Sequence, residues 1–396
     1  MLRRSLALAA ILVSAASAQD FKPKQSSIPQ SQVDEAIAKG LEWLLSEQGG
    51  LSKLPQNTFS SQHTGVITLE EFYFYVMIHA GLKRDHPVFQ SYLKLIVDRE
   101  PSKTYGVSLA AMCLAELDPI GYQWRLADYA QFLIDNQCKN GQWGYGKPVK
   151  LPARKVKRVE DHTSGALYGT EIREGAKVQK IKIKPREFSS QEGDNSNSQY
   201  ASLGLLACSL GQVAVDKSSL QNALLCWRKE QMKDGGWIYR KQWGGKSTGA
   251  MTAGGVGSLV IYHHLLDVGW KKDPSIKAGV EWLAKNFDVT KHPGETISTE
   301  GGTDYDGNAV GPAPEGGWGH FYYLYALQRA GMLYGTDYFG KHDWYDLGAD
   351  WLLKNRSPEK AWRAKNPYPI DTGFAILFLR RATKALEDVA TRSASK

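Results

Sequence analysis

Apolar residues recur at helical spacing along most of the chain, in two alternating kinds of segment. One kind is apolar on one face and charged on the other, near 32–48, 87–99, 123–137, 217–231, 274–287 and 342–355. The other is apolar nearly all round, near 66–81, 104–117, 197–211, 250–266, 317–332 and 370–384. Tyr200-Ala201-Ser202-Leu203-Gly204-Leu205-Leu206-Ala207 and Thr372-Gly373-Phe374-Ala375-Ile376-Leu377-Phe378-Leu379 are examples of the second kind. A helix apolar on all sides belongs inside, and one with a charged face belongs outside. Six outer and six inner helices in alternation predict an all-α fold, a closed (α/α)6 toroid (barrel) of six helical hairpins.

A repeat closes the outer segments. Leu133-Ile134-Asp135-Asn136-Gln137 is followed by Gly141-Gln142-Trp143, and Trp227-Arg228-Lys229-Glu230-Gln231 by Gly235-Gly236-Trp237, without gaps. Weaker copies start at Trp43, Trp282 and Trp351, the last with Trp362. Glycine after a helix accepts the left-handed backbone that ends it. The Gln amide can satisfy orphan groups at neighbouring helix ends, and the Trp ring can cover that amide and fill the turn. Gln137, Trp143, Gln231 and Trp237 are therefore expected to be structural.

These two segments resemble the QW repeats of squalene–hopene cyclases and related terpene cyclases, and six hairpins are similar to the β-subunit toroid of protein prenyltransferases. Gly316-Gly317-Trp318-Gly319-His320-Phe321-Tyr322-Tyr323-Leu324-Tyr325 through Asp371-Thr372-Gly373-Phe374-Ala375 resembles exported bacterial prenyltransferase/squalene-oxidase repeat proteins. The resemblance spans nearly all of the chain after the first eighteen residues and implies the α/α toroid of that superfamily. Its catalytic signatures are not carried over. The cyclase signature is Asp-x-Asp-Asp, and the nearest string, Asp304-Tyr305-Asp306-Gly307, lacks the last acid. The zinc prenyltransferases place Asp two residues from a ligating Cys, and none of Cys113, Cys138, Cys208 and Cys226 has one there. Neither standard activity is expected, and neither is a cofactor or metal.

The termini and charge refine this picture. Arg3 and Arg4, the apolar run Ser5 to Val13 and Ala16-Ser17-Ala18 form a signal peptide over 1–18, so a periplasmic or secreted location is expected. That run is shorter than the ~20 residues a bilayer requires, and no other apolar stretch is long enough, so the chain does not read as transmembrane. A linker over 19–31, the toroid over 32–384 and a flexible tail over 385–396 complete the organisation. The net charge of +8 resides in one insertion, with twelve Lys/Arg and four Asp/Glu between Lys147 and Arg186. A nucleic-acid-binding domain is not expected; a loop meeting an anionic surface is. The cysteines are too few for a disulfide scaffold, and a single Cys208–Cys226 bridge stays open.

Two insertions, about 145–194 and 288–316, each join an outer helix to the next inner one and so share a face of the barrel. In the first, Val178 to Lys184 alternates apolar and Lys positions and predicts a strand, part of a small β-rich flap serving as a lid. Inner-helix N-termini ring that mouth and lend it partial positive charge. Glu71, Asn197, Tyr200 and Tyr322 are the candidates there for ligand binding, and Asp304, Asp306, Asp371 and His320 for catalysis. Each has a structural reading too: Asp371 and Asn197 as helix caps, His320 as a hydrogen-bonded core residue. Glycoside hydrolases on such barrels need two carboxyls roughly 5–10 Å apart, and no pair stands out. The function expected is binding of a lipid or glycan ligand, or a partner, at the loop-bearing mouth. A carbohydrate-active enzyme and an isoprenoid-processing enzyme are the alternatives.

Overall fold

Local chemistry starts the outer helices. In α3 (Pro87–Asp98), the His86 ring accepts from the Val88 amide at 3.2 Å and Pro87 occupies the first turn. In α9 (Pro274–Lys285), Asp273 accepts from the Ile276 amide at 3.0 Å, again before a proline. Such caps satisfy amides that have no partner inside the helix, and proline there loses nothing. The computed structural model describes residues 21–52, 69–153, 178–189, 192–295, 302–303, 309–310, 319–359, 361–362 and 369–386. It is mostly helical, the remaining helices being α1 (Gln30–Leu45), α2 (Leu69–Ala80), α4 (Thr104–Leu117), α5 (Gln123–Asp135), α6 (Asn195–Leu210), α7 (Lys217–Glu230), α8 (Gly249–Leu265), α10 (His320–Tyr334), α11 (Trp344–Lys354) and α12 (Ile370–Leu379).

Burial sorts these helices as the hydrophobic pattern implies. In α4, 13 of 14 residues are buried and in α8, 15 of 17, against 3 of 12 in α3 and 4 of 12 in α9. The even-numbered helices pack in a closed cycle: α2 on α4, then α6, α8, α10, α12 and back to α2. The odd-numbered ones pack behind them, α5 on α4 and α6, α7 and α9 on α8, α11 on α10 and α12. The final helix stops at Leu379, short of the expected 384, and Arg381 beyond it takes a positive φ of 49°.

The repeat residues do related work in three of the copies. The indole N–H groups of Trp143, Trp237 and Trp362 donate to the carbonyls of Leu133, Trp227 and Leu352 at 2.6, 2.8 and 2.8 Å. Each acceptor lies in the last turn of an outer helix, where carbonyls lack intrahelical partners. The Gln137 amide bridges the Gly141 and Ser219 carbonyls, and the Gln231 amide those of Gly235 and Ser275. Each glutamine thus ties its turn to the next outer helix. Gly141 and Gly235 hold φ of +96° and +90°, and a Cβ on Gly235 would sit 2.8 Å from the Ala278 carbonyl oxygen.

The insertion after α5 departs from expectation. The strand exists, as β1 (Ile181–Ile183), but pairs in parallel with β2 (Val213–Val215), beside the C-terminal end of α6. That is the far end from the mouth. The described residues 178–189 form a strap along α5. Gln123 donates to the Gln179 carbonyl at 2.6 Å, Gln131 to that of Lys184 at 3.0 Å, and Arg186 Nε to Asp135 at 2.8 Å. The strap explains why α5, an outer helix, has 11 of 13 residues buried. The described part is therefore wall cladding, and 154–177 lie outside the described residues. Two further strand pairs, β3 (Gly302–Thr303) with β4 (Ala309–Val310) and β5 (Tyr338–Phe339) with β6 (His342–Asp343), are antiparallel.

All four cysteines are free and buried, so the Cys208–Cys226 bridge does not form. Burial pushes each thiol up, that of Cys226 to about 12, which leaves them small inert core groups. Among the described residues no helix is long and apolar enough to cross a membrane.

Candidate functional site

Tyr322, Tyr325 and Arg329 of α10 are spaced three and then four residues apart, and so share one helix face. On α6, Ser196 lies three residues before Gln199 and four before Tyr200, and so neighbours both on the helix surface. In the cycle of inner helices α8 stands between α6 and α10, so bonds between these two faces run across the interior. The Tyr322 hydroxyl meets Ser196 Oγ at 3.2 Å and accepts from the Gln199 amide. Gln199 Oε1 in turn accepts from Arg329 Nη2 at 2.9 Å. On the α4 side, the Tyr105 hydroxyl bonds to Ser196. A continuous polar chain thus runs Tyr105–Ser196–Tyr322–Gln199–Arg329. Gly254 of α8 makes room for it: a Cβ there would lie 2.7 Å from Gln199 Oε1.

Aromatic rings pack round this chain. Tyr200 stacks between Tyr105 at 4.3 Å and Tyr322 at 6.4 Å, measured between ring centroids. Phe374 of α12 meets Tyr322, Tyr325 and Phe72 at 5.6, 6.0 and 4.6 Å. The Arg329 guanidinium lies 4.2 Å from the Tyr325 centroid and 5.4 Å from that of Tyr200. Burial pushes the hydroxyls of Tyr105, Tyr200, Tyr322 and Tyr325 up, so each stays a neutral donor. Burial also works against the Arg329 charge, but the Tyr200, Tyr325 and Tyr322 oxygens outweigh it, and the guanidinium remains a cation. Among the described residues no carboxylate pairs with it, and its Nη1 has no hydrogen-bond partner. A buried ion without its counter-ion costs several kcal/mol, whereas a cation–π contact returns about 0.5–2 kcal/mol. The cation is therefore held by neutral groups, with one guanidinium nitrogen left without a partner.

The sequence candidates divide on this geometry. Tyr200 and Tyr322 come together at the centre, Tyr322 the more open of the two. Asn197 is one turn away but its amide groups donate to Asp194 at 2.7 and 2.9 Å, completing the cap of α6. Asp194 is itself buried, which raises its pKa. Glu71 points to the outside of the ring, where Arg99 donates to it at 2.9 Å and to Glu70 at 3.2 Å. His320 opens α10 with Nε2 donating to the Val289 carbonyl at 3.0 Å, and burial lowers its pKa to about 4. Asp371 lies within the first turn of α12, not at its N-cap position, which is Pro369 and carries no side-chain cap, so the expected cap role is not realised. Asp304 and Asp306 lie outside the described residues. Arg329, Gln199, Ser196 and Tyr105 were not singled out from sequence. The available signal was an arginine seven residues after Tyr322 inside an otherwise inner-type segment.

A concavity of ≈ 250 Å³ opens on the wall beside β2, lined by Lys180, Leu205, Val213, Leu220 and Leu265 among others. No charged or catalytic groups converge in it beyond Lys180 and Lys217. Among the described residues no three His, Cys, Asp or Glu side chains gather as a metal site.

No family model and no curated relative matches the chain. Solved structures align with most of it. One is the type II terpene cyclase MstE from Scytonema in complex with geranylgeranyl dihydroxybenzoate, 11% identical, covering 92% of this chain and 98% of its own, TM-score 0.47. Another is a possible member of the GH105 family from Salmonella enterica serovar Paratyphi A, 12% identical, covering 91% and 96%, TM-score 0.48. The chain is similar to both. Identities this low speak to fold alone, and TM-scores this low leave its activity to its own residues.

Proposed function

We propose that this chain is an exported (α/α)6 toroid of six helical hairpins that binds a ligand at the barrel end where the inner helices begin, without terpene-cyclase or zinc-prenyltransferase chemistry. The observation that carries the reading is Tyr322. Its half-buried ring tops a polar and aromatic network built from α4, α6, α10 and α12. A barrel that only had to fold would fill this space with apolar side chains, and departures from that consistency concentrate at functional sites. Aromatic rings with a few convergent polar groups are the usual lining of small-molecule sites. The signal-peptide pattern of residues 1–18 supports export. Lys180, Lys182 and Lys184 are exposed along β1 and fit contact with an anionic surface.

A carbohydrate-active enzyme is less well supported, because Glu70 and Glu71 are engaged by Arg99 and Asp194 by the α6 cap. Native mass spectrometry of the protein purified from its own envelope, followed by solvent extraction, tests the reading. The expected result is a bound mass that solvent releases and that Tyr322→Ala loses. A bound mass retained by Tyr322→Ala would move the site elsewhere, and release of sugars from a polysaccharide would replace binding by hydrolysis or lysis.

A further inference from the structure

Among the described residues two arginines are buried, Arg125 and Arg329; the half-buried Arg356 and Arg381 pair with no carboxylate, but several others do. Arg99 meets Glu70 and Glu71, Arg125 meets Asp128, Arg186 meets Asp135 and Arg228 meets Asp273. Arg329 is only 3% exposed and meets no carboxylate among the described residues. Its Nη2 donates to Gln199, while Nη1 is buried without a partner. The neighbours it does have are neutral: the Gln199 carbonyl and the rings and hydroxyl oxygens of Tyr200 and Tyr325.

We propose that Arg329 is the receptor for an oxyanion, a carboxylate or phosphate group, carried on an apolar ligand that enters the barrel anionic end first. This inference rests on the ligand-binding reading above and names the chemistry of what is bound. A guanidinium presents a planar fork of donors that matches either group. Phe72, Phe374 and the Tyr200 ring supply the apolar surroundings for the body of such a ligand. The direction of entry follows from depth. Arg329 lies nine residues beyond the start of α10, ~13 Å at 1.5 Å rise per residue, whereas the half-buried Tyr322 is two turns nearer the mouth. The network between them offers hydroxyl and amide groups that can exchange their mutual bonds for bonds to an oxyanion.

The test uses the full-length protein freed of bound material and titrated calorimetrically with decanoate, decyl phosphate and decanol, each below its aggregation limit. Either anion should bind at least tenfold more tightly than decanol, and whichever binds better names the group. Arg329→Gln should remove that preference, and Arg329→Lys should keep part of it. Equal affinity for all three probes would overturn the oxyanion and leave a ligand site standing. No binding of any probe, with no extractable mass, would remove both. Thermal unfolding supplies an independent measure. Arg329→Met should abolish the rise in melting temperature that decanoate gives the native protein. A lowered melting temperature with decanoate stabilisation intact would make Arg329 a structural residue and refute the proposal.

Discussion

Arg329 on α10 and Gln199 on α6 are joined by a 2.9 Å hydrogen bond that crosses the interior between two helices not adjacent in the ring. Gln199 also donates to Tyr322, so one amide links the deepest cation to the most open ring of the cluster. Replacing Gln199 by Leu removes the acceptor of a buried charge. The expected cost is about 2–3 kcal/mol of stability by denaturant unfolding, with most of it recovered in the Gln199→Leu/Arg329→Met double variant. Additive losses would mean that the two residues act independently.

Gly254 offers a gentler route to the same network. Gly254→Ala sets a methyl group where Gln199 Oε1 now sits 2.7 Å away. Ligand retention measured by native mass spectrometry is expected to fall while far-ultraviolet circular dichroism is unchanged. Unaltered retention would show that the position of Gln199 is immaterial to binding.

His320 gives a pH dependence with a definite sign. Burial lowers its pKa from the ordinary 6.5 to about 4, so the native state holds it neutral and donating to Val289. Between these values the unfolded chain binds the proton and the folded one does not. Stability from this group is therefore intact above pH 6.5 and is lost as pH falls to 4, by at most about 3 kcal/mol. His320→Gln retains a donor for the Val289 carbonyl and should flatten that part of the stability–pH curve. An unchanged slope would place the titration elsewhere.

The hairpin turns should be sensitive in a repeat-specific way. Trp237→Phe strands the Trp227 carbonyl at the end of α7 and should cost about 1–3 kcal/mol in urea unfolding. Gly235→Ala combines a φ of +90° with a Cβ against the Ala278 carbonyl and should cost at least about 1 kcal/mol. Matching losses are expected at Trp143 and Gly141; a neutral result there would mean that the two copies are not equivalent.

Glu71 is assigned a structural role by its ion pair with Arg99. Arg99→Met leaves that buried carboxylate without its cation and should destabilise by about 2 kcal/mol, Arg99 itself being part exposed. Glu71→Gln on the same background should restore most of the loss without altering ligand retention. A loss of bound ligand on Glu71→Gln alone would return Glu71 to the site.

The sorting of inner from outer helices was legible because burial writes itself into a local period, as the contrast between α4 and α3 shows. The turn chemistry of Gln137–Trp143 and Gln231–Trp237 was legible because the residues concerned lie within one hairpin. Tyr200 and Tyr322 were found as aromatic positions near inner-helix starts, but their contact depends on which helices face each other across the barrel. The same non-local fact hid Arg329 and Gln199, separated by 130 positions in the chain. For the segment 178–184 the alternation gave a strand, while its pairing with Val213–Val215 and its course along α5 rest on contacts that no local pattern encodes.

The most direct test of the central claim is a crystal structure of the protein with the molecule that co-purifies with it. That molecule is expected inside the ring of even-numbered helices, against Tyr322 and Phe374, with its anionic end on Arg329. A molecule seated instead in the cleft beside β2, lined by Val213, Leu220 and Leu265, would contradict it.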